Sequence, residues 1–497
     1  MPLAKKTATG AAWIVLWRVV SRSLGVVSIL VLARLLPPEA FGLVAIATSV
    51  VTALDTFSIL GWQDAIIRSK EYNKRMLNSA FTICTIRGLV MGLLIAAGAP
   101  FAAQFFGEPR IESILYLLAV LTVLEGFENV GVVEFRRELQ FNKEFILFVV
   151  PRFVAFAVTI LSAFLLKSYW ALVLGIATQR LCKFAIGYLI HPHRPQFSTN
   201  AVGDLLSFSL WTWAISTSMF VRDRFPSLII GRVLGPTQVG QFTIGWEIAM
   251  LPITELVQPI ERALFSGFSS AARSGSDLAD LFTRAAGVVA LFILPMSIGM
   301  SALSDLLVSV ALGAAWQDAS PLIMWLSIST PFFVLASLSI TCLIANARLR
   351  EALTITTCSG GAILALSIAL IGDRGLQGVM IAILIVMVLE GLTAAVLTVR
   401  WLGGRPSALV ASLWRSIASV LVMAAVLDLA GLGWIAAPED FMTTIYKMAE
   451  TVTVGATSYI IASATLWLLC GKPVGAESWL IQFATETLGS LRRRLES

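Results

Sequence analysis

The chain has 497 residues, 57% of them hydrophobic and only 13% charged, with a mean hydropathy of +0.85. A soluble domain carries about 25% charged residues, so the composition excludes a water-soluble globular protein. The net charge of +6 is spread over short loops, with no aromatic–basic patch or recognition module, which excludes nucleic acid as a partner.

The apolar residues fall in successive runs of roughly 20, the length of a helix that crosses a bilayer. The first six helices are expected near 11–34, 39–61, 77–101, 111–133, 145–166 and 168–190. A polar link, His191 to Ser198, follows. The next six are expected near 206–234, 238–265, 283–311, 320–346, 352–371 and 375–400, and two more near 409–430 and 446–470. The fold class is therefore an all-α integral membrane protein of about 14 transmembrane helices. Lys5 and Lys6 before the first run suggest a signal peptide. However, Arg18 and Arg22 interrupt its apolar centre and no small-residue cleavage site follows, so the run reads as a retained helix.

One stretch occurs twice. Leu32-Ala33-Arg34-Leu35-Leu36-Pro37-Pro38-Glu39-Ala40-Phe41-Gly42 is matched, 198 positions later, by Ile230-Gly231-Arg232-Val233-Leu234-Gly235-Pro236-Thr237-Gln238-Val239-Gly240. Arg34, Pro38 and Gly42 thus correspond to Arg232, Pro236 and Gly240. Each copy ends one apolar run and starts another. Proline stops a helix, and glycine is read here as permitting the tight re-entry. A weaker echo places Phe105-Phe106-Gly107 and Glu112 over Ala311-Leu312-Gly313 and Asp318. Six helices separate the copies, an even number, so the halves are parallel repeats. The expected organisation is a six-helix lobe at 1–196, a second at 197–404, two additional helices within 405–472 and a tail at 473–497.

Placing the N-terminus in the cytoplasm puts most of the 36 Lys and Arg residues in cytoplasmic loops, as the positive-inside rule requires. The C-terminus is then cytoplasmic too. Five arginines stay within spans: Arg18, Arg22, Arg87, Arg222 and Arg224. A cation at mid-bilayer costs roughly 2.5–3.5 kcal/mol on insertion scales, so such residues usually face a bundle interior or a wet cavity. Arg18 and Arg22 are four apart and share one helix face. The repeat shift places Arg222 and Arg224 on the equivalent helix of the second half. Two such helices facing each other would line a cavity with guanidinium forks, which match phosphate oxygens in two-point contacts. Arg18 and Arg22 also lie early enough in their helix to snorkel to the headgroups, and Arg222 with Asp223 can be an internal packing pair.

Asp55, Asp223, Glu247 and Glu255 are candidate charge partners or proton carriers for these arginines, or simple ion pairs. Glu125 and Glu128 read as a solvated helix end. Pro252 and Pro259 bracket the acidic stretch and are candidate bending points. Cys84, Cys182, Cys342, Cys358 and Cys470 lie in or at the end of apolar runs without a CxxC pair, and the two histidines share one loop. No metal site, cofactor or catalytic residue is expected, and no P-loop, G-x-S-x-G or HExxH is present.

Residues Ala33 to Gly42 resemble the A-R-L-L-x-P-x-x-F-G signature of bacterial polysaccharide transporters of the Wzx type. These belong to the multidrug/oligosaccharidyl-lipid/polysaccharide exporter superfamily. Phe106-Gly107-Glu108-Pro109, Arg137 to Phe141, Tyr169 to Val173 and Ile230 to Gly235 support the resemblance, which reaches to about residue 400. It departs at Gln241 and at Ser266-Gly267. The resemblance implies two six-helix lobes plus two C-terminal helices, in the bacterial inner membrane. It implies flipping of undecaprenyl-pyrophosphate-linked repeat units by alternating access for surface-polysaccharide synthesis, with Arg18, Arg22, Arg222 and Arg224 on the pyrophosphate. The partners implied are the lipid-linked oligosaccharide, the bilayer, and a polysaccharide polymerase with chain-length or export proteins. A multidrug exporter of the same superfamily, or a membrane-integral polymerase or ligase, is the alternative.

Overall fold

Apolar runs punctuated by proline and by left-handed glycine fold into helices. In the computed structural model, which describes residues 3–58, 66, 74–202, 210–438, 440–473 and 475–478, no strand is present among the described residues. The end of the helix expected at 39–61, the basic residues Arg68 and Lys70, and the tail with Arg492 to Arg494 lie outside the described residues. The chain forms two compact units, Met1–Thr243 and Ile244–Ser497.

The first unit holds α1 (Leu3–Leu35), α2 (Pro38–Phe57), α3 (Lys74–Phe106), α4 (Arg110–Gly126), α5 (Phe141–Leu166), α6 (Trp170–Ile190), α7 (Leu210–Leu234) and the start of α8 (Pro236–Ala249). There α3 packs on α4, α5 on α6, α1 on α5, and α2 on α7. The second unit holds α9 (Gln258–Ser274), α10 (Leu278–Ala302), α11 (Ser320–Ala345), α12 (Leu349–Trp401), α13 (Pro406–Leu429) and α14 (Phe441–Leu469). Among the described residues ten helices are long and apolar enough to cross a membrane, eleven if Arg110–Gly126 and Val130–Arg137, bent by 69°, form one span. One of the ten, α12, is two helices joined at Gly375, whose φ of 56° breaks the run. With α7 and α8 also helical where spans are expected, the architecture is consistent with the expected fourteen.

The glycines of the duplicated stretch have two uses: re-entry, as expected, in the second copy, and close packing in both. The re-entry is made by Pro37, extended at φ −70° and ψ 158°, and in the second copy by Gly235 at φ +83°. Pro38 and Pro236 then start α2 and α8, where a missing N–H costs nothing. Gly42 and Gly240 sit one turn further on, inside the helices, at a crossing of α2 over α8. A Cβ on Gly42 would collide with the carbonyl of Pro236, and one on Gly240 with the carbonyl of Pro38. The contact is reciprocal, backbone on backbone, as a local twofold relation between the copies requires.

Between Pro252 and Pro259 the chain is a π-helix, Ile253–Val257. The two prolines thus bracket a real helix irregularity, one that carries Glu255. At the far end of the chain, Arg415 of α13 is buried and bonds Glu477 through both carboxylate oxygens, at 2.7 and 2.9 Å. Burial pushes the Glu477 carboxyl up, but the bonds from Arg415 outweigh it and hold the group below the usual carboxylate range.

The link after α6 is tied down rather than loose. Asn129 accepts from the Gly131 N–H at 3.0 Å and donates to the His193 carbonyl at 2.9 Å. His191 is buried and its Nε2 lies 3.0 Å from Glu134 Oε2, while its Nδ1 accepts from the His193 N–H at 3.2 Å. His193 Nε2 is buried with no hydrogen-bond partner among the described residues. Burial, and next the neighbouring His191, push the His193 imidazole below the usual histidine value.

Two outcomes follow from these packings. Gly42→Ala gains about 1 kcal/mol of helix propensity, but overpacking costs roughly 1–3 kcal/mol, and here the obstacle is backbone. The variant is expected to unfold at lower temperature and accumulate less in the membrane. Gly25→Ala, with nothing within 4 Å of the added methyl, is expected to match the parent in a fluorescence-detected thermal melt. For His193, a lowered folded-state pKa means that the neutral ring is the one the fold accommodates. The stabilisation is complete above the unfolded value of about 6.5 and is lost as pH falls through the lowered value. Protection factors for amide exchange over 191–198, corrected for the intrinsic base-catalysed rate, should therefore fall from pH 7.5 to pH 5, and His193→Asn should flatten that change.

Candidate functional site

Polar side chains inside an apolar bundle mark the places where function resides, because lipid offers them no partners. On α1, Arg18 and Arg22 are half-buried. On α7, Arg222 is 5% exposed and its Nε donates to Asp223 Oδ1 at 2.7 Å. Arg224, two residues on and so on another helix face, is exposed. Arg222 and Arg224 thus do not act alike: the first is a buried, carboxylate-bonded cation and the second is free to meet a ligand or a headgroup. Glu247 and Glu255, in the second unit, are both exposed. Arg34 and Arg232, at the repeat turns, are exposed, and the Arg232 guanidinium lies over the Phe105 ring at 5.2 Å.

Asp55 pairs with Arg87, which was left open above. Arg87 Nη2 donates to Asp55 Oδ1 at 2.9 Å and its Nε to Ser58 Oγ at 2.8 Å. Beside this pair lie Glu125 and Glu128, which are not a solvated helix end. Arg180 faces Glu125 at 3.2 Å, and the Lys183 ammonium reaches both oxygens of Glu128, at 2.7 and 3.0 Å. Arg180 and Lys183 lie inside α6, within the span expected at 168–190, and not in a cytoplasmic loop as the loop-charge count has them. Asp55, Arg87, Glu125, Glu128 and Lys183 line a polar cavity of ≈ 290 Å³ in the first unit; Arg180 is outside the lining and reaches it only through Glu125.

The cavity floor is built by a close approach. Gly88 of α3 and Gly126 of α4 leave no room for a Cβ, and the Thr85 hydroxyl donates to the Gly126 carbonyl at 3.0 Å. That carbonyl is freed because α4 ends there, before the bend to Val130–Arg137, and a freed carbonyl in an apolar bundle needs a donor. In the second unit a larger cavity of ≈ 840 Å³ is lined almost wholly by apolar residues of α10, α13 and α14, among them Leu291, Met300, Met423 and Ile460. No cluster of three or more metal-ligating side chains is present among the described residues.

The polysaccharide biosynthesis protein family matches residues 31–321, more than half of the chain. The chain belongs to that family. Among curated relatives, the lipopolysaccharide biosynthesis protein WzxC of Escherichia coli K12 is 24% identical over 336 residues, 66% of this chain and 68% of that one. The succinoglycan biosynthesis transport protein ExoT of Rhizobium meliloti is 24% identical over 328 residues, 66% of each chain. The chain thus spans about two thirds of the length of both relatives. Among solved structures, the lipid II flippase MurJ in an inward closed conformation has the same fold, with a TM-score of 0.72 at 13% identity, covering 91% of this chain and 99% of that one. Membership of this family, on this fold, makes the protein a multi-pass membrane transporter of polysaccharide biosynthesis and not an enzyme.

The Arg87–Asp55 pair gives a direct test of how the site is held. Arg87→Leu leaves a carboxylate without its partner inside the bundle, a loss on the order of 1–3 kcal/mol. Membrane abundance of that variant should fall. The double substitution Arg87→Leu with Asp55→Leu should recover most of it, because removing both members of a pair spares the lone charge. Western quantification of the two variants checks the pattern.

Proposed function

We propose that the protein moves undecaprenyl-pyrophosphate-linked oligosaccharide repeat units across the bacterial inner membrane by alternating access. The observation that carries this reading is the family match over residues 31–321 on the fold of a lipid-linked precursor flippase. The chemistry of the chain agrees with it. The ligand has a long apolar tail, a diphosphate and a sugar head. Arg18 and Arg22 on α1, with Arg222 and Arg224 on α7, supply the guanidinium forks for the diphosphate. Of these, Arg224 is the exposed one. The apolar cavity of the second unit suits part of a polyprenyl chain.

In this reading, 1–196 and 197–404 are the two six-helix lobes and the helices within 405–472 are an addition. Asp55, Asp223, Glu247 and Glu255 balance charge or carry protons during the cycle. Both termini face the cytoplasm, and a polymerase with chain-length or export proteins receives the translocated unit.

Deletion should abolish polymer export and leave the lipid-linked unit on the cytoplasmic leaflet; normal polymer from a strain with no second flippase gene would falsify the reading. Complementation with Arg224→Ala or Arg224→Lys, at matched membrane abundance, should restore about a tenth or less of wild-type export, the effect of losing roughly 1.4 kcal/mol. Full export from the quadruple Ala variant of Arg18, Arg22, Arg222 and Arg224 would remove the arginines from substrate binding. A cysteine at Pro236 should react with a periplasmic reagent, and one at Lys74 should not.

A further inference from the structure

We infer that the cavity among Asp55, Arg87, Glu125, Glu128 and Lys183 is a sugar subsite, which holds one ring of the oligosaccharide head group. The inference rests on the flippase reading and adds to it the place where the head, rather than the diphosphate, is recognised.

Size comes first. A volume of ≈ 290 Å³ is about ten times the ~30 Å³ share of a water molecule and sits near the lower end, roughly 300 Å³, of small-molecule pockets. A proton or a bare metal ion needs far less. A sugar ring with its hydroxyls uses such a space.

Charge decides the class. Three carboxylates, Asp55, Glu125 and Glu128, face three cations, Arg87, Arg180 and Lys183, in pairs at 2.9, 3.2 and 2.7 Å. The formal charges cancel. In the lining itself an incoming cation meets Arg87 and Lys183, and an incoming anion meets three carboxylates, one of them already balanced from outside the lining by Arg180. A neutral, hydroxyl-rich ring meets acceptors and donors in alternation. Each of its hydroxyls donates to a carboxylate and accepts from a guanidinium or ammonium, in charge-assisted bonds that are the strong ones.

The wall completes the fit. Phe148 lines the cavity and gives it an apolar aromatic wall for the C–H side of a ring; the Arg136 guanidinium lies 6.0 Å from the Phe148 centroid. The Phe148 ring stacks on Trp17 with centroids 5.3 Å apart at 29°. Trp17 precedes Arg18 on α1, so the aromatic wall is joined to the helix that carries two of the proposed diphosphate arginines. The Gly88–Gly126 contact and the Thr85 bond fix the floor before any ligand arrives, as a recognition site requires. Further titratable neighbours are Cys84, which also lines the cavity, Tyr188, whose hydroxyl is committed to the Phe127 carbonyl at 2.8 Å, and Arg136, which lies over Phe148 and pairs with Glu144.

The test uses the full chain in lipid nanodiscs and two probes. One is the lipid-linked unit extracted from the deletion strain; the other is undecaprenyl pyrophosphate without sugar. The wild type should bind the first at least about tenfold more tightly. Glu128→Gln with Lys183→Met, which removes one pair without leaving a lone charge, should bring the first probe down to the affinity of the second and leave the second within about twofold of wild type. Equal binding of both probes by the wild type, or an undiminished preference in the double variant, would overturn the subsite and leave the flippase reading intact. An equal loss of both probes would make the cluster a structural lock. An undiminished preference with transport that no longer responds to pH would make it a proton relay. A wild type that binds neither probe sinks the flippase reading itself.

Discussion

The first unit depends on one contact in which no side chain takes part. Where α2 crosses α8, the backbones touch because Gly42 and Gly240 each leave space for the other copy's proline carbonyl. Helices in lipid gain little from hydrophobic burial, and close packing of small residues takes its place. The crossing fixes how the second helix of the chain meets the start of the eighth. From it follow the courses of α1 and α7, the helices that carry the candidate substrate arginines.

Much of this was legible in the sequence for a plain reason. A span is a run of about 20 apolar residues, so helix positions can be read along the chain without knowing contacts. The duplication was also visible, because Arg, Pro and Gly recur at fixed spacing. What the spacing did not reveal was which residue makes the turn. Glycine at the end of the motif suggested re-entry, yet the left-handed residue is Gly235 in one copy and the extended Pro37 takes that place in the other. A glycine needed for close approach and one needed for a positive φ look alike in a sequence.

The charged cavity was hidden for a different reason. Its five charged side chains, and the Arg180 that pairs with one of them, come from four parts of the chain between Asp55 and Lys183. Each taken singly had a bland explanation: Glu125 and Glu128 near a helix end, Arg180 and Lys183 near a loop. Only the fold pairs them. One signal was available, namely that three carboxylates and three cations fall in neighbouring apolar runs, where lone charges are costly. The division of labour between Arg222 and Arg224 was likewise invisible, since it depends on which face of α7 the bundle covers.

The Arg415–Glu477 clamp bears on how the chain ends. The helices α13 and α14 invite description as an accessory, detachable without harm to the rest. The clamp argues otherwise. A guanidinium buried in α13 takes its carboxylate from a residue 62 positions later, beyond the last long helix. Synthesis must therefore run past residue 477 before the Arg415 cation meets this carboxylate. Until then α13 holds a cation without the carboxylate that balances it, so the helix depends on a segment made well after the helix itself.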